Sequence, residues 1–193
     1  TDLITISAAD FEDQLDLKQS AYPYLIKEKP DEYNQMVIHL IEALSEEIVL
    51  LSEARSLNIN VSDKEAADAE AEFRKDYPED SFEQMLLKNA ITYSFWQSRF
   101  RQDMIIARLI DQELTNTIEI TTADMVAFYE KYGRKEPPDK TDQTDRTDAI
   151  PQTFKDEQQF VSRLRQMKSQ ESYGKWFHQL SDKHPVSINS DRV

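Results

Sequence analysis

Three histidines, a dense set of carboxylates and no cysteine define the chemistry this chain could build. His39 lies in a run of apolar periodicity, with no second histidine at the H-E-x-x-H spacing that holds zinc on one helix face. A general base also needs a positioned partner, so a structural or surface role is the better reading. His178 and His184 are close in sequence, but two imidazoles without a paired carboxylate motif make a weak metal site. Residues 62–83 hold nine acids against three bases. Acid–base work would require an apolar pocket to split their pKa values. They fall instead on an Ala/Glu-rich stretch and read as a solvated face. The absence of cysteine excludes disulfides, thiolate zinc sites and thiol nucleophiles. Two glycines, Gly133 and Gly174, are too few for a phosphate-cradling loop, a nucleophile elbow or a dinucleotide turn. No catalytic residue, metal ligand or cofactor is assigned.

The richest apolar feature is Tyr93-Ser94-Phe95-Trp96-Gln97-Ser98-Arg99-Phe100, with Met104 beyond it. At helical spacing Trp96, Phe100 and Met104 share a face, and core packing is the default for such a stripe. Phe95 and Arg99 fall on another side, so aromatics cover more of the circumference than one interface requires. Aromatic and methionine surface adapts to many peptides, which leaves a ligand-binding role open beside the core role.

The elements that position these residues read as helices. Ser7 caps a first helix with Asp10 in its first turn, and Pro23 and Pro30 break the chain beyond that helix. Tyr33, Val37, Ile41, Leu44, Ile48 and Leu51 recur at steps of three and four, one stripe of a long helix opened by Pro30 and widened by Met36, Leu40 and Leu50. Ser62-Asp63-Lys64-Glu65 and Ser81-Phe82-Glu83-Gln84 read as two capping boxes, and Pro78 stops the helix between them. A further helix starts at Thr92, a short one at Thr121 or Thr122, and Gly133 is a natural stop. A last helix carries Phe160, Leu164, Met167, Tyr173, Phe177 and Leu180 and ends at Pro185. The β-prone runs at residues 3–6 and 186–188 are too short to stand alone, so they are expected to pair as a two-stranded ribbon joining the ends. Residues 134–148 lack any apolar side chain, so the segment 134–152 is expected to be a solvated linker.

Composition narrows the partners. The 193 residues suit one domain, or one plus an appendage, with a formal charge of −14. That balance argues against a nucleic-acid binder and disfavours docking on anionic lipid. No apolar run approaches the roughly 18 residues of a membrane span, so no stable membrane insertion is expected. Residues 153–193 run the other way, seven bases against five acids.

The segment Ile48-Val49-Leu50-Leu51-Ser52-Glu53-Ala54-Arg55-Ser56-Leu57-Asn58-Ile59-Asn60-Val61-Ser62-Asp63-Lys64-Glu65 resembles the SurA/PrsA-type chaperone domain of parvulin-family foldases. There a long helix ends in an "EA-x-x-x-x-I-x-V-S-D-x-E" turn into a capped helix. Ser81-Phe82-Glu83-Gln84-Met85-Leu86, Thr92-Tyr93 and Phe100-Arg101-Gln102-Asp103-Met104 are similar to the next helices of that family. Ile120-Thr121-Thr122-Ala123-Asp124-Met125-Val126-Ala127-Phe128-Tyr129-Glu130 resembles the segment before the isomerase module, and Tyr173-Gly174-Lys175-Trp176-Phe177 with Val186-Ser187-Ile188 the closing helix and strand. The slot that family members fill with a parvulin isomerase holds only residues 134–152.

The resemblance implies an all-α chaperone domain with a minimal β-ribbon, split as residues 1–133 and 153–193 around the linker. It implies an ATP-independent holdase for unfolded or partly folded outer-membrane or secreted proteins, without prolyl-isomerase activity or cofactor. The location implied is periplasmic or otherwise extracytoplasmic, any leader or lipid anchor having been removed. Tyr22, Tyr24, Phe95, Trp96, Phe100, Met104 and Trp176 are the candidate client-binding residues. A homodimer is compatible with this reading, and the alternative is an assembly subunit that turns the same surface to one dedicated partner.

Overall fold

Local side-chain chemistry decides where the helices start. The computed structural model describes residues 3–22, 24–78, 81–132 and 157–189. Among these, the helices are α1 (Ala8–Ser20), α2 (Pro30–Ser56), α3 (Asp63–Arg74), α4 (Ser81–Lys88), α5 (Tyr93–Glu113), α6 (Thr122–Tyr132) and α7 (Glu157–Lys183), with single 3-10 turns at Tyr24–Glu28 and Thr115–Thr117. The fold is all-α. Ser7 Oγ accepts from the Asp10 amide at 3.1 Å while Asp10 Oδ2 accepts from the Ser7 amide at 3.2 Å. Ser62 and Glu65 repeat this reciprocal box at 3.3 and 2.8 Å, and Thr121 and Asp124 at 3.2 and 2.8 Å. Each box satisfies two of the donors that a helix start leaves orphaned. The box expected at Ser81 does not form. Ser81 is already inside α4, and its hydroxyl donates to the Pro78 carbonyl at 2.8 Å instead.

Helix ends are equally local. After α2 the Ile59 amide reaches back to Ala54 O at 2.8 Å and the Asn58 amide to Arg55 O at 3.1 Å, with Asn58 at φ 56°. After α4 the Ile91 amide reaches Leu86 O at 2.9 Å and the Ala90 amide reaches Leu87 O at 3.1 Å, with Ala90 at φ 53°. Both are Schellman turns, whose left-handed residue is usually glycine. Asparagine tolerates that conformation, whereas at Ala90 the Cβ crowds the backbone.

The expected β-ribbon is not found. Residues 3–7 and 185–189 carry irregular backbone, and no strand occurs among the described residues. Leu3 is 84% and Ile188 59% exposed, so these two strand-prone side chains stay in water. The linker expected at residues 134–152 and the stop at Gly133 lie outside the described residues.

The chain divides into two compact units. One comprises Thr1–Ile110 with His178–Val193. In it α1 and the Tyr24–Glu28 turn pack on α2, and Gln19 Nε2 donates to Tyr33 Oη at 3.3 Å. The deepest line of α2 is Met36, Leu40, Leu44, Leu50 and Ala54. Of the stripe expected from periodicity only Leu44 is fully buried; Tyr33, Val37, Ile41, Ile48 and Leu51 are half-buried. The apolar face is wide, and its neighbours approach from the flank that Met36 and Leu40 occupy. The second unit is Asp111–Phe177. Its buried residues include Leu114, Phe128 and Leu164, and Phe128 meets Phe160 edge-on at 5.1 Å. Lys168 Nζ ties α7 to α6 by donating to Asp124 Oδ2 at 2.7 Å.

Candidate functional site

Six aromatic rings from α3, α4, α5 and the turn after α3 form one cluster. Trp96 and Phe100, one helical turn apart on α5, stack at 4.9 Å and 17°. Phe73 of α3 lies 5.6 Å from each of them, and Phe82 of α4 meets Trp96 edge-on at 4.8 Å. Tyr77 contacts Phe73 at 5.3 Å and Phe82 at 5.6 Å, and Tyr93 stacks on Trp96 at 6.1 Å. These offset and edge-to-face geometries suit the quadrupoles of aromatic rings. Phe82 alone is buried, while Phe73, Tyr77, Trp96 and Phe100 are partly open and Tyr93 is 45% exposed. The cluster is thus one wall of a core and, at the same time, an accessible apolar surface.

A polar network holds its rim. Glu70 of α3 is buried and accepts the Tyr93 hydroxyl on both carboxylate oxygens, at 2.6 and 2.8 Å. That hydrogen bond, helped by burial, pushes the Tyr93 phenol above its ordinary pKa of 10.0. Gln97 Nε2 donates to Glu70 at 3.4 Å. The Arg74 guanidinium lies 4.4 Å over the Phe82 ring and pairs with Glu70 at 3.5 Å and with Glu83. The result is an aromatic surface edged by fixed charge.

The structure brings together two of the seven residues singled out from sequence, Trp96 and Phe100. Met104, one turn further along α5, and Phe95 are half-buried, and Phe95 pairs with no other ring among the described residues. Tyr22 lies just past α1 and is 38% exposed. The Tyr24 side chain lies outside the described residues. Trp176 belongs to the second unit, where it lies 5.6 Å from Tyr173. Phe73, Tyr77 and Phe82 join the cluster without having been singled out, and Tyr93, part of the aromatic run but not one of the seven, joins them. Their signal is the aromatic spacing 73, 77, 82 inside a stretch whose acids invite the reading of a wholly solvated face.

Sequence reasoning also passes over a buried acid. Glu53 of α2 has a side chain only 7% exposed. It accepts from Lys183 Nζ at 2.6 and 2.9 Å, from His184 Nε2 at 2.6 Å and from Ser56 Oγ at 3.1 Å. An ionised carboxylate only accepts, so His184 carries its proton on Nε2. Burial pushes the Glu53 carboxyl up, but the bonds from Lys183, His184 and Ser56 outweigh it and hold the group below the ordinary 4.5. His184 is therefore a positioned partner of a carboxylate, closing the C-terminal end of α7 onto α2. His39 and His178 are exposed.

The second unit holds an open groove of about 690 Å³ lined by Asn116–Thr121, Met125, Val161 and Arg165. The Arg165 Nε is shut off from water and has no hydrogen-bond partner among the described residues. Leaving a buried donor unmade costs about 1–3 kcal/mol. Among the described residues no group of three or more His, Asp or Glu side chains could hold a metal ion, and no helix is long and apolar enough to cross a membrane. No protein-family model matches the chain, and no curated protein shows significant similarity to it.

Proposed function

We propose that this chain is an ATP-independent holdase of the SurA/PrsA chaperone type, without prolyl-isomerase activity. It binds unfolded or partly folded polypeptides, outer-membrane or secreted clients, in an extracytoplasmic space. The observation that carries the reading is the aromatic cluster: six rings in contact, of which only Phe82 is buried. Partly open aromatic surface gains burial from any apolar segment laid on it, and it does so with few rotatable bonds to freeze. The charged rim of Glu70, Arg74 and Glu83 keeps that surface wet at its edge and disfavours its collapse onto a second copy. The net charge of −14 keeps loaded molecules apart.

The test is aggregation of two unrelated unfolded proteins, tracked by light scattering at equimolar chaperone with and without ATP. Suppression of both, indifferent to ATP, is the expected result. Protection of one client alone would favour a dedicated assembly subunit, and protection of neither would remove the holdase reading.

A further inference from the structure

Three rings of the aromatic cluster have an acid as their sequence neighbour. Glu72 precedes Phe73, Asp76 precedes Tyr77 and Glu83 follows Phe82, and all three acidic residues are exposed. The cations beside them are already engaged: Lys75 pairs with Glu72, and Arg74 with Glu70 and Glu83. The Asp76 carboxylate takes part in no ion pair or hydrogen bond among the described residues. Even with Lys88 at the end of α4 included, residues 62–88 hold nine acids against four bases. Arg74 shows what such a surface does with a cation: its guanidinium lies 4.4 Å over the Phe82 ring while it pairs with both carboxylates. Ring faces carry negative potential, so rings and acids act on a cation with the same sign. An acidic segment is repelled by that rim, and a second copy would bring the same acids to it.

We propose that the aromatic cluster selects one class of segment: an extended stretch in which a large apolar residue has Lys or Arg two positions away. Residues two apart in an extended chain lie on the same side, about 7 Å from each other. The apolar side chain lies on the partly open rings while the cation meets Asp76 and Glu72 at the rim. This selection rests on the holdase reading in taking polypeptide as the ligand, and it adds which segments of a client are held.

The probes are four fluorescein-labelled nonapeptides built on Gly and Ser, added to the full chain and monitored by anisotropy at about 0.05 M salt. Three carry a central Phe with Lys, Gln or Glu two positions away on each side, and the fourth keeps the lysines but replaces Phe with Ser. The Lys–Phe peptide should bind about fivefold tighter than the Gln–Phe peptide, with the Glu–Phe peptide weakest, and that advantage should shrink at about 0.5 M salt. The Lys–Ser peptide should bind about tenfold more weakly than the Lys–Phe peptide, having no side chain for the rings to bury. Glu72→Gln combined with Asp76→Asn should bring the Lys-to-Gln ratio below about twofold and leave the Gln–Phe affinity unchanged. Asp13→Asn combined with Asp16→Asn changes the net charge equally, but on α1, which packs on α2, and should leave the ratio as in wild type. All four substituted side chains are exposed, so both variants keep the fold. Equal binding of the Lys–Phe and Gln–Phe peptides would overturn the proposal, as would equal binding of the Lys–Phe and Lys–Ser peptides. So would a ratio lowered as much by the α1 pair as by the rim pair, since the preference would then come from net charge alone. Light scattering with unfolded clients separates the two readings: suppressed aggregation with no preference for Lys refutes the selection alone, and a Lys preference without suppression refutes the holdase alone.

Discussion

Glu53 in the first unit and Arg165 in the second are both charged groups with polar atoms shut off from water. Glu53 meets donors from Lys183, His184 and Ser56, so the bonds that hold its charge also join α7 to α2. Arg165 Nε meets no acceptor among the described residues. Desolvating a charge is costly wherever it happens, and the cost is offset only where partners replace the lost water. A buried charge whose partners are all internal serves the fold. Glu70, with Tyr93, Gln97 and Arg74 around it, belongs with Glu53.

The sharpest way to break this contrast is to delete each charge. Glu53→Ala removes the acceptor of three donor side chains and leaves a cavity. Lys183 is 52% exposed and can return to water, which limits the loss. A destabilisation of about 2–4 kcal/mol is expected in urea unfolding, with an unchanged m-value.

Acid should reproduce part of that loss. The folded Glu53 carboxyl titrates below its ordinary 4.5, so its contribution is full above that pH and is lost as pH falls through the folded value. The stability gap between wild type and Glu53→Gln should therefore narrow from pH 6 to pH 3. Glu65, held down to about 2 by its bonds from Ser62 and by Arg108, and Asp124, held down to about 2 by Lys168 and by its bonds from Thr121, act with the same sign further into acid.

A purely local strain calibrates the scale. Ala90 sits at φ 53°, where an L side chain crowds its own backbone. Ala90→Gly should raise stability by about 1 kcal/mol, visible as a higher thermal midpoint. Arg165→Met should raise stability by up to about 1 kcal/mol, because it removes a buried donor without a partner, part of that gain being offset by the packing lost with the shorter side chain. A loss as large as that of Glu53→Ala would show that Arg165 is a fold residue.

Much of this architecture was legible in the sequence wherever it is local. Ser7, Ser62, Thr92 and Thr121 announce helix starts because a short side chain reaches only its own backbone. Pro30 and Pro78 mark boundaries for the same reason. Tertiary choices were less visible. Periodicity located the apolar face of α2 but not which line of it lies deepest, since Met36 and Leu40 are selected by neighbours remote in sequence. Glu53 escaped because counting apolar residues passes over a buried acid, and its partners Lys183 and His184 stand about 130 positions away. Ala90 carries no sign of its left-handed conformation. Residues 3–6 and 186–188 have strand-forming composition, but composition does not reveal that Leu3 and Ile188 remain in water. Of the candidate binding residues Trp96 and Phe100 were found by spacing on one helix. Phe73, Tyr77 and Phe82 required the packing of α3 and α4.

Whether the aromatic cluster receives clients can be read by photo-crosslinking. Benzoyl-phenylalanine replaces Tyr77 at the partly open edge of the cluster, and in a second variant it replaces Ile38, which is 53% exposed on α2 and outside the cluster. Each variant is irradiated with two unrelated unfolded proteins. The expected result is crosslinking of both clients at position 77, with little at position 38. Equal yields at the two positions, or none at position 77 under conditions where aggregation is suppressed, would contradict the assignment of the aromatic cluster as the client-binding surface.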